Sequence, residues 1–236
     1  MKHKSKFFIL ILYTIIFCYI SVQAQTTPVV NYLQQTRDYA EMYNGKLEVI
    51  YSVRLFKGFP YYNNSDFTDA SVVYKNNYYP GQKARLDLYR EQLIVLLPEK
   101  QYGVIVSSPN AEKVIMYDKT FVWLTPPKES GLKEGYYISL LDSGKIQLLC
   151  KESYTLQQTQ VVYYTFNRNV GYYLFYNNQY YRVKDKGSFS KLFPKYKKQI
   201  NQFAKTHQLN FKQKPDLSFT ALAGYCEELI TSTNKQ

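Results

Sequence analysis

The sequence predicts a mainly β, α+β fold: a single antiparallel β-sheet domain, sandwich-like or partly rolled, closed by two C-terminal amphipathic helices. Three observations predict it. Roughly ten short segments alternate apolar and polar residues or run apolar throughout, the patterns of half-buried and fully covered strands. Most are joined by tight connections rich in Asn, Asp and Gly, which favour antiparallel neighbours. At Gly187 the apolar spacing changes from every second residue to every third or fourth and stays helical to the end of the chain.

Taken in order, Lys2, Lys4 and Lys6 precede an apolar run from Phe7 to Tyr19, and Val22-Gln23-Ala24 has the small-x-small form of a signal-peptidase site. Residues 1–24 therefore read as a secretory signal. The apolar run is shorter than the roughly 20 residues that span a bilayer, and Phe17 precedes Cys18 where a lipobox carries a small residue. No transmembrane span is expected after cleavage. Residues 25–45 form a polar N-terminal segment in which Val30, Leu33 and Tyr39 to Met42 fit a short helix.

The β-rich region covers residues 46–186. Leu47, Val49, Tyr51, Val53 and Leu55 alternate with Glu48, Ser52 and Arg54, with Ile50 as the exception, and predict its first strand. Gly58 to Asp69 is loop. Val72 to Tyr74 and Tyr78-Tyr79 flank Lys75-Asn76-Asn77, a turn in which asparagine tolerates positive φ. Ala84, Leu86 and Leu88 then alternate with Arg85, Asp87 and Tyr89, and Arg90 to Gln92 reverse the chain into the apolar run Leu93 to Leu97. Further strands are expected at Tyr102 to Val106, Val114 to Tyr117, Thr120 to Leu124, Gly135 to Leu141, Lys145 to Tyr154, Val161 to Phe166, Tyr172 to Tyr176 and Tyr180 to Val183.

In the helical segment, residues 187–236, Phe189, Leu192, Phe193, Tyr196, Ile200 and Phe203 make one stripe, with Ser188 as N-cap and Pro194 either kinking the helix or opening a second one. After Pro215, the residues Phe219, Leu222, Ala223, Cys226, Leu229 and Ile230 make another, with Asp216 or Ser218 as cap. No linker divides the chain.

Val73-Tyr74, the Asn turn, Tyr78, Ala84 to Tyr89 and Gln92-Leu93 resemble a segment of an exported, β-rich, uncharacterised protein family of Bacteroidota-type bacteria. Tyr43-Asn44-Gly45, the hairpin Tyr172 to Val183 and the Lys-rich ending from Lys186 through Leu209-Asn210-Phe211 are similar to later parts of that family. The resemblance implies an exported β-rich domain, in the periplasm or at the cell surface or secreted. It implies no activity and supplies no functional residues.

Removing residues 1–24 takes away three lysines and no acid, leaving 27 basic and 18 acidic residues and a net charge of +9. A basic exported protein is suited to anionic partners, so a protein or an anionic glycan or lipid of the envelope is the expected partner, while specific nucleic-acid binding is not expected. Lys191, Lys195, Lys198 and Lys205 share a helical face beside the first apolar stripe and are the candidate binding residues. A solvated helix face is the plainer reading of the same pattern.

Catalytic chemistry is constrained by what is scarce. His207 is the one histidine outside the signal sequence, which starves Ser-His-Asp, Cys-His and His-based zinc sites alike. No glycine-rich phosphate loop occurs, and no metal or cofactor is predicted. A carbohydrate-active hydrolase using paired carboxylates is the alternative, with Asp87, Glu91, Asp142, Glu152, Glu227 and Glu228 as acids and 26 tyrosines as platforms. Asp87 and Glu91 sit in or beside a hairpin, and each acid reads first as a solvated charge. Adjacent pairs such as Tyr78-Tyr79, Tyr136-Tyr137 and Tyr172-Tyr173 should send one ring inward and one outward. Cys150 and Cys226 are a candidate disulfide in an oxidising compartment, and each equally fits a small buried hydrophobe.

Overall fold

The structure is a computed structural model that describes residues 41–97, 101–160 and 163–233. The expected signal sequence, most of the segment 25–45 and Val161-Val162 lie outside them. The chain divides into Met1–Met42 and Tyr43–Gln236, and the architecture is that of the second unit.

Among the described residues, eleven strands belong to one open sheet. They are β1 (Phe56–Lys57), β2 (Thr68–Tyr74), β3 (Asn77–Asp87), β4 (Gln92–Leu96), β5 (Gly103–Ile105), β6 (Ala111–Met116), β7 (Lys119–Leu124), β8 (Gly135–Asp142), β9 (Gln147–Gln160), β10 (Tyr163–Tyr176) and β11 (Gln179–Val183). Their order is β1-β10-β9-β8-β7-β6-β2-β3-β4-β5, with β11 also paired to β10. All pairings are antiparallel except that of β1 with β10, so the sheet is mixed at one edge. Three helices follow: α1 (Lys186–Leu192), α2 (Lys197–Thr206) and α3 (Pro215–Thr233).

The turn chemistry explains the meander. Lys75 and Asn76 (φ 49° and 63°), Tyr117 and Asp118 (48° and 59°), and Asn177 and Asn178 (49° and 59°) each make a two-residue turn with both residues left-handed. Such turns match the twist of the strands they join. The helices pack through the predicted stripes: Phe189, Phe193, Ile200, Phe219, Leu222, Ala223 and Cys226 are buried. The Phe219 ring stacks on Tyr172 of β10 at 4.3 Å, so α3 covers the face of the sheet that carries Tyr172 and Cys150.

Four expectations change. The strand expected over Leu47 to Leu55 does not form: Val49, Ile50 and Val53 are exposed, Leu47 makes a lone bridge to Val104, and Ser52 accepts from the N–H groups of Leu55 and Phe56 in a turn. Alternation there has no neighbouring strand to pair with, and only Tyr51 is buried. The two strands expected at Val161 to Phe166 and Tyr172 to Tyr176 are one, β10, because its polar middle is satisfied across the hairpin. Arg168 binds Glu152 in a fork at 2.9 and 2.7 Å, and Asn167 donates to Gln157 at 2.8 Å.

The first helical stripe is carried by two helices, making three in all where two were expected. Pro194 opens a 3-10 turn, Pro194–Tyr196, between α1 and α2 because it has no N–H to continue the ladder. Capping falls to Asp185, whose carboxylate accepts from Ser188 N–H at 2.9 Å; Asp216 and Ser218 are engaged with Lys119 and Asn210. Cys150 and Cys226 are free buried thiols rather than a disulfide, each packed as a small hydrophobe, and burial pushes both up to about 12.

Candidate functional site

The reversal between β3 and β4 builds the most constrained polar site. Asp87 ends β3 and is fully buried, against the expectation of a solvated charge. One carboxylate oxygen accepts from the N–H groups of Tyr89 and Arg90 at 2.9 and 2.8 Å, and the other from the Tyr51 hydroxyl at 2.7 Å. The turn so fixed leaves Glu91 at φ 55°, a region that residues other than glycine and asparagine seldom enter.

From there the Glu91 side chain crosses to β8 and β9. Its Oε2 accepts from Tyr136 N–H at 2.9 Å and lies 2.7 Å from Lys151 Nζ. Lys151 also donates to the Tyr136 carbonyl at 2.9 Å and sits 4.6 Å over the Tyr137 ring. Burial pushes the Glu91 carboxyl up and the Lys151 ammonium down, while the opposite charge of each works against both shifts. Gly135, at φ 140°, makes room for the pair: a Cβ there would lie 2.4 Å from Glu91 Oε2 and 2.6 Å from Lys151 Nζ. Tyr136 and Tyr137 are both buried, against the expected division, whereas Tyr78 and Tyr79 divide outward and inward as expected.

Above the pair opens a cleft of about 380 Å³. Tyr89, Tyr137, Tyr154 and Tyr173 line it, with Ser153, Thr155 and Asn169 between them, and Lys133 and Glu134 at its edge. Two lysines and two glutamates face one space, so their charges cancel. Among the described residues, Oε1 of Glu91 has no partner, Oε2 taking both of its hydrogen bonds. Glu48 and Arg85 form a neighbouring buried ion pair. The Arg85 guanidinium is held between the Tyr61 and Phe67 rings at 4.4 and 4.3 Å, and Tyr61 donates to Glu48 at 2.7 Å. That network fastens the irregular segment around Glu48 to β3.

The predicted lysines are brought together only in part. Lys191, Lys195, Lys198 and Lys205 are all exposed, and none pairs with an acid among the described residues. Lys205 lines an open groove of about 960 Å³ between the start of α1 and the end of α2, shared with Lys184, Lys186 and Lys212. Its one acid, Asp185, is committed to capping α1. Lys191 lines an adjoining depression of about 560 Å³ with Arg182 and Lys184. Lys195 lies over Tyr196 at 5.6 Å, outside both, and Lys198 stands apart on α2. Helical spacing missed Arg182, Lys184, Lys186 and Lys212 because they come from β11, its exit, the first residue of α1 and the loop after α2; the clusters Lys184-Asp185-Lys186 and Lys212-Gln213-Lys214 were the available signal.

Of the remaining acids, Glu152 is tied to Arg168 and Asp142 is exposed, while Glu227, which accepts from Ser143 and the Lys145 N–H, and the exposed Glu228 line a depression of about 640 Å³ with Ser143 and Lys145. His207 caps α2, stacked on Phe203 with centroids 4.0 Å apart. Among the described residues, no three His, Cys, Asp or Glu side chains are placed as metal ligands, and no helix is long and apolar enough to cross a membrane. No family model, curated protein or solved structure matches the chain.

Proposed function

We propose that the protein is an exported, non-enzymatic binding module of the envelope or the secreted space, and that its ligand is an anionic surface polymer. The observation that carries the reading is the basic groove of about 960 Å³, in which four lysines from separate elements face a space whose only acid is already engaged. Lys184 also lines the depression that holds Arg182 and Lys191, so the positive surface extends beyond the groove. Exposed lysines screened over about 8 Å at physiological salt suit a charged polymer better than a single small ion. Export rests on the N-terminal lysines, apolar run and small-x-small site of residues 1–24.

The test is sedimentation of the mature protein with envelope fragments at low and high salt, before and after protease treatment of the fragments. The expected result is binding that survives protease, is lost in salt and is abolished by the combined Lys184→Glu, Lys186→Glu, Lys205→Glu and Lys212→Glu variant. Binding lost after protease would replace the polymer with a protein partner.

Glu91 lends some weight to a second reading, a hydrolase of carbohydrates, because it is an acid with a raised pKa in a concave site. Against it, Glu91 is held by Lys151, and Asp87 is fully buried with both oxygens engaged. Release of reducing sugar from a polysaccharide, lost in Glu91→Gln, would establish hydrolysis.

A further inference from the structure

We propose that the cleft above Glu91 and Lys151 binds a neutral glycan, seating a sugar ring against its tyrosines. The inference is independent of the basic groove. Lys133 and Lys151 are matched by Glu91 and Glu134 around the same space, so a polyanion gains nothing there and an uncharged ligand loses nothing. At about 380 Å³ the cleft lies within the range of about 300–1,000 Å³ that small-molecule sites occupy.

Its lining has the two surfaces that a sugar ring presents. Tyr89 is 40% exposed and Tyr173 is half-buried, so their rings offer apolar area to C–H faces, while the Tyr154 ring packs on Phe166 in the core. The Ser153 hydroxyl both donates and accepts, while the Thr155 hydroxyl already donates to the Asn167 carbonyl at 3.5 Å. The Asn169 amide donates to Thr155 Oγ1 and to the Asn167 carbonyl, which leaves its oxygen as an acceptor. Glu91 Oε1 is a further acceptor, and a carboxylate takes a strong hydrogen bond from a ligand hydroxyl.

The site is built rather than incidental. The floor is set before any ligand arrives, because Lys151, Tyr136 and Glu91 lock one another in place.

The experiment is calorimetric titration of the mature protein with cellotetraose, maltotetraose and chitotetraose. Saturable binding to at least one is expected, insensitive to salt and weakened about tenfold by Tyr89→Ala and by Asn169→Ala. Both side chains are exposed, so the variants should fold, with unchanged thermal melting as the check. The four-lysine charge reversal should leave sugar binding untouched, which separates this site from the groove. Absence of binding to all three probes, or binding unchanged in both variants, overturns the proposal.

Discussion

The cleft and the basic groove are assembled in opposite ways. At the floor of the cleft each charge is placed by another group: Asp87 fixes the turn, the turn fixes Glu91, and Glu91 and Lys151 fix each other. In the groove the lysines are exposed and pair with no acid among the described residues. A buried, mutually dependent set is costly to disturb, because removing one member strands the next in a poorly solvated place. Exposed charges add little to stability and remain free for a partner. The same residue type, lysine, therefore serves the fold at position 151 and the surface at positions 184, 186, 205 and 212.

The sharpest way to break this contrast is Lys151→Met, which should cost about 3 kcal/mol at neutral pH by leaving Glu91 charged and unmatched. Its sign with pH is defined. Without Lys151 the carboxyl is raised further by burial alone, the protonated form is favoured in the folded state, and the deficit should shrink as pH falls toward the ordinary carboxyl value of 4.5. Denaturant titration across that range checks it. The double variant Glu91→Gln with Lys151→Met should recover most of the loss; an equal or larger deficit would show that packing, not charge, holds the turn.

Gly135→Ala should follow, at about 2 kcal/mol, since a Cβ at φ 140° is strained and would also press on the Glu91–Lys151 pair. Thermal melting measures it. Reversing the four groove lysines should change stability by less than about 0.5 kcal/mol while removing salt-sensitive binding. The smallest signal is thiol labelling. Cys150 lies under the cleft strands and Cys226 in α3, and neither should react in the native protein, so labelling of a variant reports local opening.

The fold was legible where pattern and turn chemistry agree. Asn76 and Asn177-Asn178 mark hairpins because few residues accept two successive left-handed conformations, and the stripe from Phe219 to Ile230 can be buried only as a helix. Legibility failed where a contact is distant in sequence. Val49 to Leu55 alternates as a strand with Ile50 as the exception, but pairing depends on which neighbour arrives, and Tyr51 is held instead by Asp87 thirty-six residues away. The cleft was invisible for the same reason. Glu91 meets Lys151 and Tyr136 only through the sheet order, so a hairpin glutamate gave no sign of burial. The lysine face was half legible, because helical spacing finds Lys205 but cannot bring Lys184 and Lys212 beside it.

An open sheet leaves two borders at which another chain might add itself, a hazard in an aromatic-rich protein. Here each border is spoiled. β5 is three residues long and is bridged by Leu47. On the opposite side β10 is flanked by β1 at one end and β11 at the other, and the gap between them presents the exposed residues Asn167, Arg168, Asn169 and Val170. The three polar and charged residues that let β10 run unbroken also dominate its free margin, which discourages the protein from assembling edge to edge with its own copies.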